Sequence, residues 1–97
     1  MTTTEAHVII PTPARYMSRL AKHFEHRVSV HREDNRARVE FDGAPCSLVA
    51  HDDALEIRID AQDAETLARV RGVVDRHLKQ VASQETFEIE WQQTSHG

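Results

Sequence analysis

The 97 residues carry a formal net charge of −4, with 29% charged and 39% hydrophobic side chains. That balance suits one soluble folded domain with a modest core, and it excludes an intrinsically disordered chain. The mild acidity argues against a general nucleic-acid binder, and no run of 18 apolar residues marks a membrane span.

Taken in order, Ala6 to Ile10 reads as a first strand, with Val8 and Ile10 on one face. The first residues lack the basic and long apolar regions of a secretory signal, and with a single cysteine in the chain a reducing cytoplasm is the expected compartment. Pro11-Thr12-Pro13 ends the strand. Thr12 is placed to cap a helix that begins at Pro13, where a missing N–H costs nothing. Met17, Leu20, Ala21 and Phe24 then fall at i, i+3, i+4 and i+7, one apolar face of a helix reaching towards Arg27.

Val28 and Val30 start a second strand, and Glu33-Asp34-Asn35 turns the chain. Ala37, Val39 and Phe41 alternate with Arg38 and Glu40 on a third. Asp42-Gly43 signals a hairpin into a fourth strand, on which Cys46, Leu48 and Ala50 share a face. Leu55, Ile57 and Ile59 mark a fifth. A second helix is expected from Asp60 or Ala61, with Asp60 as cap and Leu67, Val70, Val74, Leu78 and Val81 as its stripe. Gly72 interrupts that stripe, and a close helix–sheet approach would account for it. Phe87, Ile89 and Trp91 alternate with Glu88 and Glu90 on a last strand.

The order β-α-β-β-β-β-α-β, each strand with one apolar face, predicts an α+β two-layer sandwich. Its sheet is mostly antiparallel and both helices cover one face. The chain reads as a single domain over 1–97, with an ordered core from about residue 6 to 92 and a polar, frayed tail after it. Arg38, Glu40, Glu56, Arg58, Glu88 and Glu90 are expected on the outer, charged face.

Histidines offer the candidate chemistry. His23 lies roughly 110° from the centre of the first helix's apolar stripe and shares that flank with Tyr16. His26 is an i+3 neighbour of His23 and also suits the helix C-terminus as a cation. His77 sits at the margin of the second helix's stripe, between Val74 and Val81. Each also fits as a hydrogen-bonded boundary residue. Cys46, the lone cysteine, points inward as a small hydrophobe, and one cysteine excludes an intrachain disulfide. His7, His31 and His51 fall on outward faces or strand ends, and His96 in the tail. No phosphate-binding glycine loop, dinucleotide fingerprint or HExxH is present.

Arg15-Tyr16, Leu20, Lys22-His23-Phe24 and His26 resemble the signature of a small bacterial family, domain of unknown function 2218. Phe41, Gly43, Cys46, Leu48, Leu55, Ile57, Val73-Val74, His77-Leu78, Glu85 and Trp91 continue the match in order, over about residues 6 to 92. The family pattern often has an Arg-Phe pair after the second helix's histidine and an Arg before the last strand. Gln80, Val81 and Gln84 stand there instead, which removes any anion-binding role for those arginines.

Similar domains occur alone or joined to the C-terminus of siderophore-interacting flavin reductases. The resemblance therefore implies a small accessory domain in iron or siderophore handling, with such a reductase as a partner. The expected ligand site, between the helices, is Tyr16, His23 and His77. A transition metal or iron chelate would draw on His23, His26, Cys46 and His77. The alternative is a protein–protein or homodimerisation module using the outer sheet face or an edge strand. An enzyme is the least supported reading, because spacing aligns no nucleophile, base and orienting group.

Overall fold

The computed structural model describes residues 2–95, with side chains through Gln93. The elements are β1 (Thr2–Ile9), α1 (Pro13–Phe24), β2 (Val30–Glu33), β3 (Arg36–Val39), β4 (Cys46–Ala50), β5 (Ala54–Ala61), α2 (Ala64–Val81) and β6 (Trp91–Ser95). This is the expected α+β order. The six strands form one open antiparallel sheet in the order β2-β3-β4-β5-β1-β6.

The alternation read in the sequence becomes register. Val8 pairs with Leu55 and Ala6 with Ile57, while Leu48 pairs with Ile57 and Cys46 with Ile59. These residues share one face and are buried there, against Met17, Leu20, Ala21 and Phe24 of α1 and Leu67, Val70, Val74 and Leu78 of α2. A fully buried large apolar side chain contributes about 1.5–3 kcal/mol. Both helices therefore lie on the same side of the sheet, and the other side stays open.

Four local expectations change. First, β1 starts at Thr2 rather than Ala6, and Thr2, Thr3 and Thr4 are all buried. Thr3 Oγ1 donates to Asp60 Oδ1 at 2.7 Å, and Thr4 Oγ1 donates to the Gln92 carbonyl at 3.2 Å. Second, the last strand is Trp91–Ser95, not residues 87–91. Phe87, Ile89 and Trp91 do pack against the core at alternate positions. Residues 87–90, however, lie outside any strand, and Glu88 and Glu90 belong to that segment instead of the sheet.

Third, α2 is capped by Asp63, whose side chain accepts from the Thr66 N–H at 2.7 Å. Asp60 cannot serve, because β5 runs on through Ala61 and its carboxylate already meets Thr3 and Arg58. Fourth, Thr12 occupies the cap position of α1 with φ 47° and makes no side-chain cap bond. A following proline favours the extended region, and a positive φ is unusual at a β-branched residue, so the left-handed entry at Thr12 is not what the Thr-Pro pair prescribes.

The two informative glycines behave oppositely. Gly43 has φ +74°, and a Cβ there would meet Gln62 Nε2 at 3.1 Å. Gly72 is exposed, and a Cβ there meets nothing within 4 Å, so no close helix–sheet approach explains it. Gly72→Ala is expected to stabilise the protein by about 1 kcal/mol, raising the melting temperature by about 4–8 °C. Gly43→Ala is expected to destabilise it by about 1–2 kcal/mol. Thermal denaturation of both variants checks the pair.

Candidate functional site

The site is built where α1 and α2 lie side by side on the sheet. The last turn of α1 presents His23 to solvent while Phe24 beside it turns into the core. His77, half-buried on α2, comes to meet them. The His23 and His77 rings are 4.7 Å apart between centroids, tilted by 46°. Phe24 lies 5.3 Å from His77 and 5.0 Å from Phe41, the latter edge-on. The two imidazoles thus sit on an aromatic floor with one side wet.

The backbone sets the tautomer of His77. Its Nδ1 lies 2.6 Å from the Val73 carbonyl, one helical turn back. A carbonyl only accepts, so Nδ1 carries the proton and donates. In the neutral ring, Nε2 then carries the lone pair. Among neutral side chains, this is the arrangement that suits a metal ligand.

Tyr16 is placed differently from the expected shared flank. It is 1% exposed and belongs to the core. Its hydroxyl donates to Glu85 Oε2 at 2.6 Å and accepts from Gln84 Nε2 at 3.0 Å. The Glu85 hydrogen bond, with burial, raises its pKa above the ordinary phenol value. Tyr16 thereby ties α1 to the turn that follows α2. Gln84, one of the residues departing from the family pattern, holds this tie.

A second tie runs from Trp91 Nε1, which donates to Asp75 Oδ2 at 3.0 Å, while Lys79 Nζ reaches Asp75 Oδ1 at 2.9 Å. Burial pushes the Asp75 carboxyl up. Hydrogen bonds from Lys79 and Trp91 and the charges of Lys79 and Arg71 outweigh it and hold the group below its usual value.

His26 is exposed past the end of α1, and none of the ring contacts above involves it. Cys46 is 1% exposed on β4, and burial, then the nearby Asp60 charge, pushes its thiol up to about 12. Among the described residues, no group of three His, Cys, Asp or Glu side chains is arranged to hold a metal ion. The structure thus joins His23 to His77 and leaves Tyr16 to the core. His7, His31 and His51 are exposed, as read, and the His7 and His51 rings stand 6.0 Å apart on the open face. His96 lies outside the described residues.

Comparison with known proteins fits this geometry to a family. A family described as an uncharacterized protein conserved in bacteria, DUF2218, matches residues 5–92. The chain belongs to that family. The DUF2218 match runs from within β1, through every element between, to the start of β6. A protein of Pseudomonas aeruginosa solved by NMR, PA4090, is 35% identical, with 95% of this chain and 96% of that one covered and a TM-score of 0.80. A de novo designed protein, Foldit4, shares the fold at 19% identity and a TM-score of 0.53, with 99% and 98% of the two chains covered. No curated protein matches the chain. No helix among the described residues is long and apolar enough to cross a membrane.

Two measurements follow from the site's surroundings. Native Cys46 is expected to resist a thiol reagent at neutral pH and to react fully once denatured, since the thiolate is the reactive form. For Asp75, a lowered folded pKa gives stability that is complete above the ordinary aspartate value, about pH 3.9. That stability is lost as the pH falls through the lower folded value. Asp75→Asn is therefore expected to reduce stability at neutral pH and to flatten the acid limb of the stability–pH curve.

Proposed function

We propose that this DUF2218 chain is a small, non-catalytic binding domain of the cytoplasm, serving iron or siderophore handling through a ligand site at His23 and His77. One observation carries the reading: α1 and α2 bring two imidazoles within 4.7 Å, one with its tautomer set by a backbone carbonyl. Imidazole nitrogen suits iron, zinc and copper, so the donor set selects transition metals or their chelates as a class. The iron association comes from what the family resemblance implies, since similar domains occur joined to siderophore-interacting flavin reductases, and such a reductase is the proposed partner.

A second reading is self-association through the open sheet face, and its charge pattern favours it. A depression of about 420 Å³ at one end, basic on balance, is lined by His31, Glu33, Arg36 and Arg38, among others. One of about 160 Å³ at the other is lined by Glu5, Glu56 and Glu90. Ile9, 62% exposed, lies near the acidic end. A two-fold axis would set unlike ends against each other. Light scattering on a concentrated sample at low and high salt decides this reading: a strict monomer at both removes it.

The ligand reading is tested by calorimetry with zinc(II), nickel(II) and ferric citrate. Saturable binding of at least one probe is expected in the wild type. A His23→Ala/His77→Ala variant should bind about tenfold more weakly or worse, since even outer-shell changes cost about 10–100-fold in metal affinity. Flat titrations with all three probes, or equal binding by the variant, contradict it.

A further inference from the structure

We infer that the His23–His77 pair takes a partly coordinated metal, an octahedral ion whose other positions are filled by a chelator, and not a bare ion in a protein cage. The inference rests on the ligand-site reading above and names its ligand class. Three observations lead to it.

The first is the number of donors. The pair supplies two imidazoles, and no third His, Cys, Asp or Glu among the described residues joins them in a metal-holding group. Cys46 is buried as a small core residue with its thiol protonated at neutral pH, and the Tyr16 oxygen is committed to Glu85 and Gln84. A resident structural site normally has four protein donors, and a catalytic one has three. Two donors leave most of an ion's positions to something else.

The second is their spacing. Imidazole nitrogens bind such ions at about 2.0–2.1 Å, so two donors in adjacent positions on one ion stand about 3 Å apart. Rings with centroids 4.7 Å apart can bring a nitrogen each to that separation. Donors on opposite sides of the ion would need about 4 Å between nitrogens and the ion between the rings. The pair therefore fits two adjacent positions. A chelator that fills four positions of an octahedral ion and leaves two adjacent ones open is its complement. A chelator that fills all six offers it nothing.

The third is access. His23 is exposed and His77 half-buried, each with its ring against Phe24, which in turn meets Phe41. A bulky complex can approach from the solvent side and rest its organic part on that edge, which an enclosed cage would forbid. His77 is pre-oriented by the Val73 carbonyl, so less freedom is lost when it binds.

Nickel(II)–nitrilotriacetate is the probe, because the chelator fills four positions and leaves two adjacent ones. Nickel(II)–EDTA, with all six filled, is the control. Both are titrated into isotopically labelled protein and followed by NMR, where paramagnetic nickel broadens nearby signals. The expected result is broadening centred on both His23 and His77 with the nitrilotriacetate complex and none with EDTA. His23→Ala and His77→Ala should each weaken binding about tenfold or more, by the same metal-ligand argument. His26→Ala should leave it unchanged. The wild-type broadening map decides the matter even if a variant folds poorly.

If free nickel binds at the pair while the nitrilotriacetate complex does not, the open-chelate inference is overturned and the ligand site stands. Broadening centred on His23 and His26 overturns the pair as the site. No broadening with either nickel form overturns the open-chelate inference, and the ligand-site reading falls with it only if the zinc(II) and ferric citrate titrations are flat as well.

Discussion

Everything in this fold hangs on β1 lying inside the sheet. It pairs with β5 along Thr2 to Ile9 and with β6 along Thr2 to Ala6. The start of the chain is thus clamped between strands that come from its second half. In an antiparallel sheet, successive residues of an inner strand point their backbone groups to opposite neighbours. Each amide in the doubly paired stretch therefore has a partner on one side or the other. The apolar set Ala6, Val8 and Ile10 then has only one face to which it can turn.

That constraint positions the helices. β1 leads into α1, which crosses the sheet to reach β2 at the far edge, while β5 leads into α2, which returns to β6 beyond β1. Both crossings use the same face, so the helices become neighbours. Two polar ties secure the arrangement, Tyr16 to the turn after α2 and Trp91 to Asp75 in the middle of it. His23 and His77 meet as a consequence of this packing. Their contact lies at the rim, where His23 is exposed, and packing alone does not require two imidazoles there.

The sequence makes the core faces legible and the pairings obscure. Strict alternation over Ala37–Phe41, Cys46–Ala50 and Leu55–Ile59, and the 3.6-residue spacing of the helix stripes, report burial, which is a local consequence of the fold. Trp91–Ser95 shows no such alternation, because polar residues there are held by backbone pairing with β1 and not by an apolar face. Phe87 and Ile89 show the reverse, alternating because a segment outside the ladder touches the core. Thr2–Thr4 carried a signal in their β-branched side chains, but their partners Asp60 and Gln92 lie far along the chain. His23 and His77 could each be read as marginal on its own helix. Their meeting, and the removal of Tyr16 from the flank into the core, depend on how the helices pack, which neither segment encodes alone.

Amide hydrogen exchange along β1 tests this account most directly. If β1 lies between β5 and β6, consecutive amides from Thr3 to Ala6 all exchange slowly, near the rate set by global unfolding. If β6 does not pair there, β1 becomes an edge strand. Slow and fast amides would then alternate along Thr3, Thr4, Glu5 and Ala6, and that pattern would contradict the architecture described.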